Sequence, residues 1–202
     1  PGVKISCLVV TLLNHVIIIP VIIYHGYQSW DYVPFREYFS GTDQAIDNFL
    51  PHFDYLLIDL SKYDIDEVKK FYESITLQMS LLVLKYIFRK NELKTNFFRI
   101  FERLPDLLEA YEGRDLYTSI ITYLYYGSDL ETTYVIDNIQ KISDKGGELA
   151  MSTAEKLIQE GMQKSKKEVA RRMIGEGFSD DLIARITGLK LEEIIKLRKT
   201  KD

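Results

Sequence analysis

The apolar positions of this 202-residue chain change their spacing along its length. Near the N-terminus they run almost unbroken. Residues 5–23, ISCLVVTLLNHVIIIPVII, are nineteen residues without a formal charge. That reaches the roughly 20 residues a membrane-spanning helix needs. Three features point to a strand instead. Asn14 and His15 put polar groups in the middle of the run, where hydrocarbon would penalise them. Pro20 would break a helix near the far end. Val16 with Ile17, Ile18 and Ile19 is a β-branched run, which suits a pleated strand. The pattern therefore predicts a strand at about 16–24, apolar on both faces like a buried parallel strand and ended by Gly26. No basic segment followed by a small-residue cleavage site marks a signal peptide. Residues 1–14, PGVKISCLVVTLLN, begin with Pro and lack the amphipathic pattern expected before such a strand.

Residues 26–34, GYQSWDYVP, read as a loop. Pro34 can open a short helix, PFREYFS, and DQAIDNFLPHF reads as another short helical turn. FDYLLIDLS (53–61) is a second strand candidate. After Ser61 the period becomes helical. Over 64–90 the apolar positions Val68, Phe71, Tyr72, Ile75, Met79, Leu82, Val83, Tyr86 and Ile87 form one 3.6-residue stripe. Asp64, Asp66 and Glu67 in its first turn, and Arg89 and Lys90 in its last, complement the helix dipole. Further helices are predicted at about 91–102, 105–112, 114–126 and 129–142, after which DKGG (144–147) interrupts the pattern.

A long polar helix is predicted from about Glu148 to Gly175. Ile158, Met162, Ser165, Val169 and Met173 fall at steps of 4, 3, 4 and 4, a narrow heptad-like seam. Such a seam fits either a helix docked on its own domain or one that self-associates. Residues 177–199, GFSDDLIARITGLKLEEIIKLRK, read as two short helices about a glycine turn. Gly177 can cap the preceding helix, and Ser179 can N-cap the next ahead of Asp180 and Asp181. Ala184 and Gly188 are the small residues a helix-turn-helix crossing needs.

Composition adds limits. The chain is 46% hydrophobic and 28% charged, enough to bury a real core. Its net charge of −4 gives no global footprint for nucleic acid. The charge is uneven: residues 161–202 hold eleven Lys/Arg against seven Asp/Glu, a local +4, whereas the first 160 residues carry −8. Attraction to phosphate therefore belongs at the C-terminal end. Cys7 is the sole cysteine, which excludes an intrachain disulfide and fits a reducing cytoplasm. His15, His25 and His52 have no helical metal-ligand spacing and read as structural or exposed.

The chain has no phosphate-binding glycine loop, no nucleophile elbow and no activating context for Cys7. Metal-dependent nuclease chemistry needs an Asp and a Glu-x-Lys on adjacent strands, the carboxylates holding Mg²⁺. Glu92-Leu93-Lys94, with Asp64 and Asp66 upstream, matches in letters only. It opens a predicted helix, where positions two apart do not share a face. Asp59…Lys62 follows a strand, but its spacing is one residue too long.

IIIPVIIYHG, then FDYLLIDLS, then MSTAEKLIQEGMQKSKKEVARRMIGEGFSDDLIARITGLKLEEI, occur in an order and wording that resemble the Rpn family of recombination-promoting nucleases, also labelled transposases. The resemblance covers about residues 15–199. It implies a bacterial, cytoplasmic DNA endonuclease of the PD-(D/E)XK fold that uses Mg²⁺ and serves DNA recombination by mobile elements. In that family the metal-binding Asp and the Glu-containing strand motif precede the PVIIYHG strand. Here only fourteen unlike residues do. No catalytic, cofactor-binding or metal position carries over, and no cofactor is expected in this chain. The chain then resembles the C-terminal two-thirds of such a nuclease, as a decayed gene or a truncated piece would.

The expected fold is an α/β remnant of a PD-(D/E)XK core, its last strands, followed by a mainly α-helical region and a helical tail, mostly α overall. The expected divisions are 1–62 for the core remnant, 63–145 for the helical region and 146–202 for the long helix with its helix-turn-helix-like tail. A competing class is a non-catalytic DNA-binding or protein-interaction module built on the C-terminal helices. Lys164, Lys166, Lys167, Arg171 and Arg172 favour phosphate contact. Glu192 and Glu193, at the start of the presumed recognition helix, oppose it. The expected partners are DNA, through an intact family member, and a second copy or a full-length relative through the long helix, with no membrane.

Overall fold

The computed structural model describes residues 3–12, 15–39, 41, 49–50 and 53–199, and side chains from residue 18 onward. It divides into two compact units, 1–147 and 148–202. The described secondary structure is mostly α.

The first unit opens with three strands in the order β1-β2-β3: β1 (Val3–Leu12), β2 (His15–Tyr24) and β3 (Leu56–Asp59). The long apolar run is thus divided between two antiparallel strands, β1 and β2, and no described helix is long and apolar enough to cross a membrane. One stretch without a predicted element proves ordered, and one expectation needs correction. Residues 3–12 form a full strand, paired antiparallel with β2 from Val3 opposite Tyr24 to Leu12 opposite His15. Cross-strand pairing supplies what an amphipathic pattern did not. Nor is β2 buried on both faces: Ile18 is 61% exposed. The parallel partner β3 pairs only with Val21–Tyr24, so the first half of β2 has β1 alone beside it. Pro20, which has no N–H to donate, sits just outside the parallel pairing.

A short 3-10 turn, Phe35–Phe39, follows Pro34 as expected, with the Glu37 amide donating to the Pro34 carbonyl at 2.9 Å. Most of DQAIDNFLPHF lies outside the described residues. A second 3-10 turn, Leu60–Lys62, ends β3 because the Asp59 carboxylate accepts the Ser61 amide.

The single stripe over 64–90 resolves into two helices, α1 (Ile65–Phe71) and α2 (Ile75–Tyr86). Asp64 and Glu67 form a reciprocal capping box at the start of α1, each bond 2.8 Å long. The chain turns extended at Tyr72, and Ser74 N-caps α2 by accepting from the Leu77 amide. The Gln78 side chain donates to the carbonyls of Lys69 (3.1 Å) and Tyr72, satisfying the freed end of α1. Side-chain periodicity alone cannot register such a break, because the apolar face continues through it. Helix α2 is buried nearly all round and packs against α1 and three helices that follow.

Those that follow are α3 (Lys90–Phe101), α4 (Leu104–Glu109), α5 (Gly113–Gly127) and α6 (Thr132–Gln140), close to the predicted spans. Phe97, Phe101, Leu104, Tyr117, Ile121 and Leu124 are among their fully buried side chains. DKGG does not interrupt the helix: α7 runs from Asp144 to Gly175. Both glycines mark crowding rather than a turn. A Cβ on Gly146 would come within 2.7 Å of Leu104 Cδ2, and the Tyr117 hydroxyl donates to the Gly146 carbonyl at 3.0 Å.

In the second unit, α7 ends in a Schellman motif: Gly177 takes φ +82°, its amide donates to Ile174 O, and the Phe178 amide donates to Met173 O. Then come α8 (Asp180–Thr187), capped by Ser179, and α9 (Leu191–Lys199). Gly188 joins them at φ +68°. Ala170, Ile174, Ile183, Leu189 and Ile194 form the core of this three-helix corner, with Met173, Ala184 and Leu197 packed on it.

Candidate functional site

The acidic groups singled out as nuclease candidates are each engaged elsewhere. Asp64 is the α1 cap. Asp66 accepts from Arg99 at 2.7 Å. Glu92 lies 3.5 Å from Arg89, whereas Lys94, two positions on, sits over the Tyr134 ring at 4.8 Å. Glu92 and Lys94 thus face different neighbours on α3, as their spacing on a helix requires. These residues do not fit a Mg²⁺ site. Among the described residues no group of three or more His, Cys, Asp or Glu could hold a metal ion. His25 is buried and stacks on Phe88 with centroids 5.5 Å apart, a structural role. The side chains of Cys7, His15 and His52 lie outside the described residues. A shallow hollow lined by Ile58, Leu60, Tyr63, Val68, Phe71 and Tyr72 offers apolar surface and two phenols, without a carboxylate or amine.

Asp59 has a role that the sequence did not announce. It sits at the C-terminal end of β3, 3% exposed, and accepts the Trp30 amide at 2.8 Å and the Ser61 amide at 2.9 Å. Lys62 lies 3.9 Å from Asp59 and donates to Trp30 O and to Asp31. Tyr55 donates to Val33 O at 2.7 Å, and Arg89 donates to Gly26 O and Tyr27 O. The loop at 26–34 is therefore clamped by four side chains far away in sequence, Tyr55, Asp59, Lys62 and Arg89. Nearby, the Lys85 ammonium is buried in α2 and donates to Leu60 O at 2.8 Å. Burial, and then the charge of Arg89, push its pKa below the ordinary lysine range. The only sequence signal for this group was a lysine inside the apolar run LLVLKYI. Each of these charges ties backbone in place, and none is aimed into open space with a partner suited to acid–base chemistry.

The C-terminal unit presents a different kind of surface. On α7, Ile158 is 59% exposed, Met162 56% and Val169 41%, and Ser165 between them is exposed. Met173, the last seam position, instead packs on the three-helix core. At 100° per residue, Lys164, Lys167 and Arg171 fall about half a turn away from Met162. One helix thus carries an apolar strip with three basic residues on the opposite side, while Lys166 and Arg172 border the strip itself. Helix α9 opens with exposed Leu191 and Glu192, and Glu193 accepts its own cap amide from Lys190 at 3.2 Å. Ile195, one turn on from Leu191, is also exposed. Arg198 is drawn off this face to Asp180, with Nε–Oδ1 3.1 Å, and to Phe178 O at 3.0 Å.

A mostly helical chain with a short mixed sheet at its start and a helix-turn-helix at its end is the class these features define. Residues 13–115 match the family model described as "Putative transposase, YhgA-like", and residues 163–199 match the C-terminal HTH domain of the Rpn/YhgA-like nuclease family. The first match alone covers just over half of the chain, and the chain belongs to this Rpn/YhgA-like family. No curated protein and no solved structure matches it. The HTH match coincides with the corner formed by α8, α9 and the end of α7.

Proposed function

We propose that this chain acts as a non-catalytic, cytoplasmic member of the Rpn family, working through its C-terminal helices to associate with a second copy or with another member of the family. Catalytic relatives of this kind would be Mg²⁺-dependent bacterial DNA endonucleases of the PD-(D/E)XK fold that serve recombination. The observation that carries the association reading is the exposed strip Ile158, Met162 and Val169 along α7. Fully burying one such side chain contributes roughly 1.5–3 kcal/mol, so a strip left in water is a strong incentive to pair. The exposed Leu191 and Ile195 on α9, beside Glu192, point the same way: apolar and acidic surface suits protein better than phosphate.

The non-catalytic part rests on the dispersal of Asp64, Asp66, Glu92 and Lys94 among a cap, two ion pairs and a tyrosine ring. Purified chain incubated with plasmid and Mg²⁺ should leave the DNA intact. Cleavage that disappears in Glu92→Ala would overturn this reading.

A second reading, DNA binding by the helix-turn-helix, is favoured by the HTH match and by Lys164, Lys167 and Arg171. Salt separates the two. Phosphate-driven binding weakens steeply with ionic strength, whereas apolar association does not. Sedimentation of the chain with and without duplex DNA, at low and high salt, should give a salt-resistant dimer. A monomer that binds DNA tightly at low salt and releases it at high salt would establish the second reading instead.

A further inference from the structure

We infer that the partner on the α7 strip is a second copy of this chain, lying antiparallel, with the two-fold axis passing between Gln163 and Lys164. This deepens the association reading and rests on it.

The argument begins with charge. Between Glu148 and Glu160 the helix carries Glu148, Glu155 and Glu160 against Lys156, a net −2. Between Lys164 and Arg172 it carries five Lys/Arg against Glu168, a net +4. A parallel pair would set the basic half on the basic half. An antiparallel pair sets the acidic half of each helix on the basic half of the other.

The seam supports the same choice position by position. Under a two-fold axis between Gln163 and Lys164, positions equidistant from it face each other. Ile158 then meets the partner's Val169, and Met162 meets the partner's Ser165. Beyond them, Glu155 meets the partner's Arg172. All six of these residues are exposed in the single chain, and on a helical projection they fall within a strip about 100° wide. The symmetric pairing buries every exposed apolar seam residue and closes each end with an opposite-charge pair. It is isologous, so it stops at two chains. A parallel pairing of the same strip would stack Glu155 on Glu155, Ser165 on Ser165 and Arg172 on Arg172, which places like charges at both ends. The seam also ends where it should: Met173, one helical turn beyond Val169, is already used by the chain's own three-helix core.

The test uses full-length chain with Cys7→Ser, which removes the only native thiol. Chains with Ile158→Cys and with Val169→Cys are mixed and oxidised. The expected product is a disulfide heterodimer, with little self-linked product from Ile158→Cys alone. A dimer in which Ile158→Cys links chiefly to itself would overturn the antiparallel arrangement while leaving association intact. A chain that stays monomeric at every concentration would overturn the association reading beneath it. Charge exchange provides a second readout that needs no new thiol. Arg172→Glu sets like charges against the partner's Glu155 at both ends, and the dissociation constant should rise roughly tenfold. Adding Glu155→Arg to the same chain should restore it. A double variant no tighter than Arg172→Glu alone would contradict the register.

Discussion

Asp59→Ala should be the most damaging single change among the charged residues of the first unit. The carboxylate is 3% exposed and accepts two backbone amides, Trp30 at 2.8 Å and Ser61 at 2.9 Å. A hydrogen bond to a charged group contributes about 1.5–3 kcal/mol, and an amide left buried without a partner costs about 1–3 kcal/mol. Burying the carboxylate offsets part of this, and Lys62, half-exposed and 3.9 Å away, adds little. The net loss should be about 3 kcal/mol. Asp59→Asn keeps an acceptor oxygen without the charge, so it should cost about half as much. Urea unfolding followed by far-ultraviolet circular dichroism measures the loss, with an unchanged dependence on denaturant as the check that only stability has changed. Trp30 is the only tryptophan, so its emission reports the clamped loop directly. Its ring packs edge-on against Tyr24 at 5.2 Å and its indole N–H donates to the Tyr38 hydroxyl at 3.0 Å. The emission should shift to the red as that environment opens. A loss below about 1 kcal/mol together with unaltered emission would refute the clamp.

Two further predictions concern stability. Gly113→Ala should cost roughly 1–3 kcal/mol in the same urea assay, because the added Cβ would collide with the Leu107 carbonyl, whereas Gly161→Ala, with nothing within 4 Å, should stabilise α7 by about 0.5–1 kcal/mol. Tyr125, whose pKa burial raises from 10.0 to about 12, favours the neutral phenol when folded, so its contribution is complete below pH 10 and is lost as pH rises through 12. Thermal melts across that window should show stability falling, and Tyr125→Phe should flatten part of the fall.

What the sequence disclosed depended on whether the controlling interaction was local. The cap at Ser179, the left-handed Gly177 and the turn at Gly188 were legible, because each acts within a few residues. The β-branched run at 16–19 foretold β2. The strand at 3–12 went unread, because its register is set by a partner strand rather than by its own pattern. The break at 72–74 was hidden under a continuous apolar stripe, and it depends on Gln78 reaching back to satisfy the end of α1. At 146–147, glycines that read as an interruption of the helical pattern answer instead to Leu104 and Gln140 packed against the helix. The candidate carboxylates were legible as a helical mismatch, and the structure scatters them accordingly. The clamp of Asp59 on Trp30 spans 29 residues and left no mark in either stretch. The seam on α7 was legible as spacing. Its exposure was not, because the same spacing suits a helix packed on its own domain.

The central claim is that α7 is an association surface, and the most direct measurement is the sedimentation equilibrium of full-length chain at high salt, compared with Ile158→Glu and Val169→Glu. Both positions are exposed in the single chain, so the substitutions leave its own core untouched. The account predicts a native chain that approaches twice its monomer mass as concentration rises, and variants that remain monomeric with unchanged circular dichroism. A native chain that stays monomeric throughout, or variants that dimerise as tightly as the native chain, would contradict it.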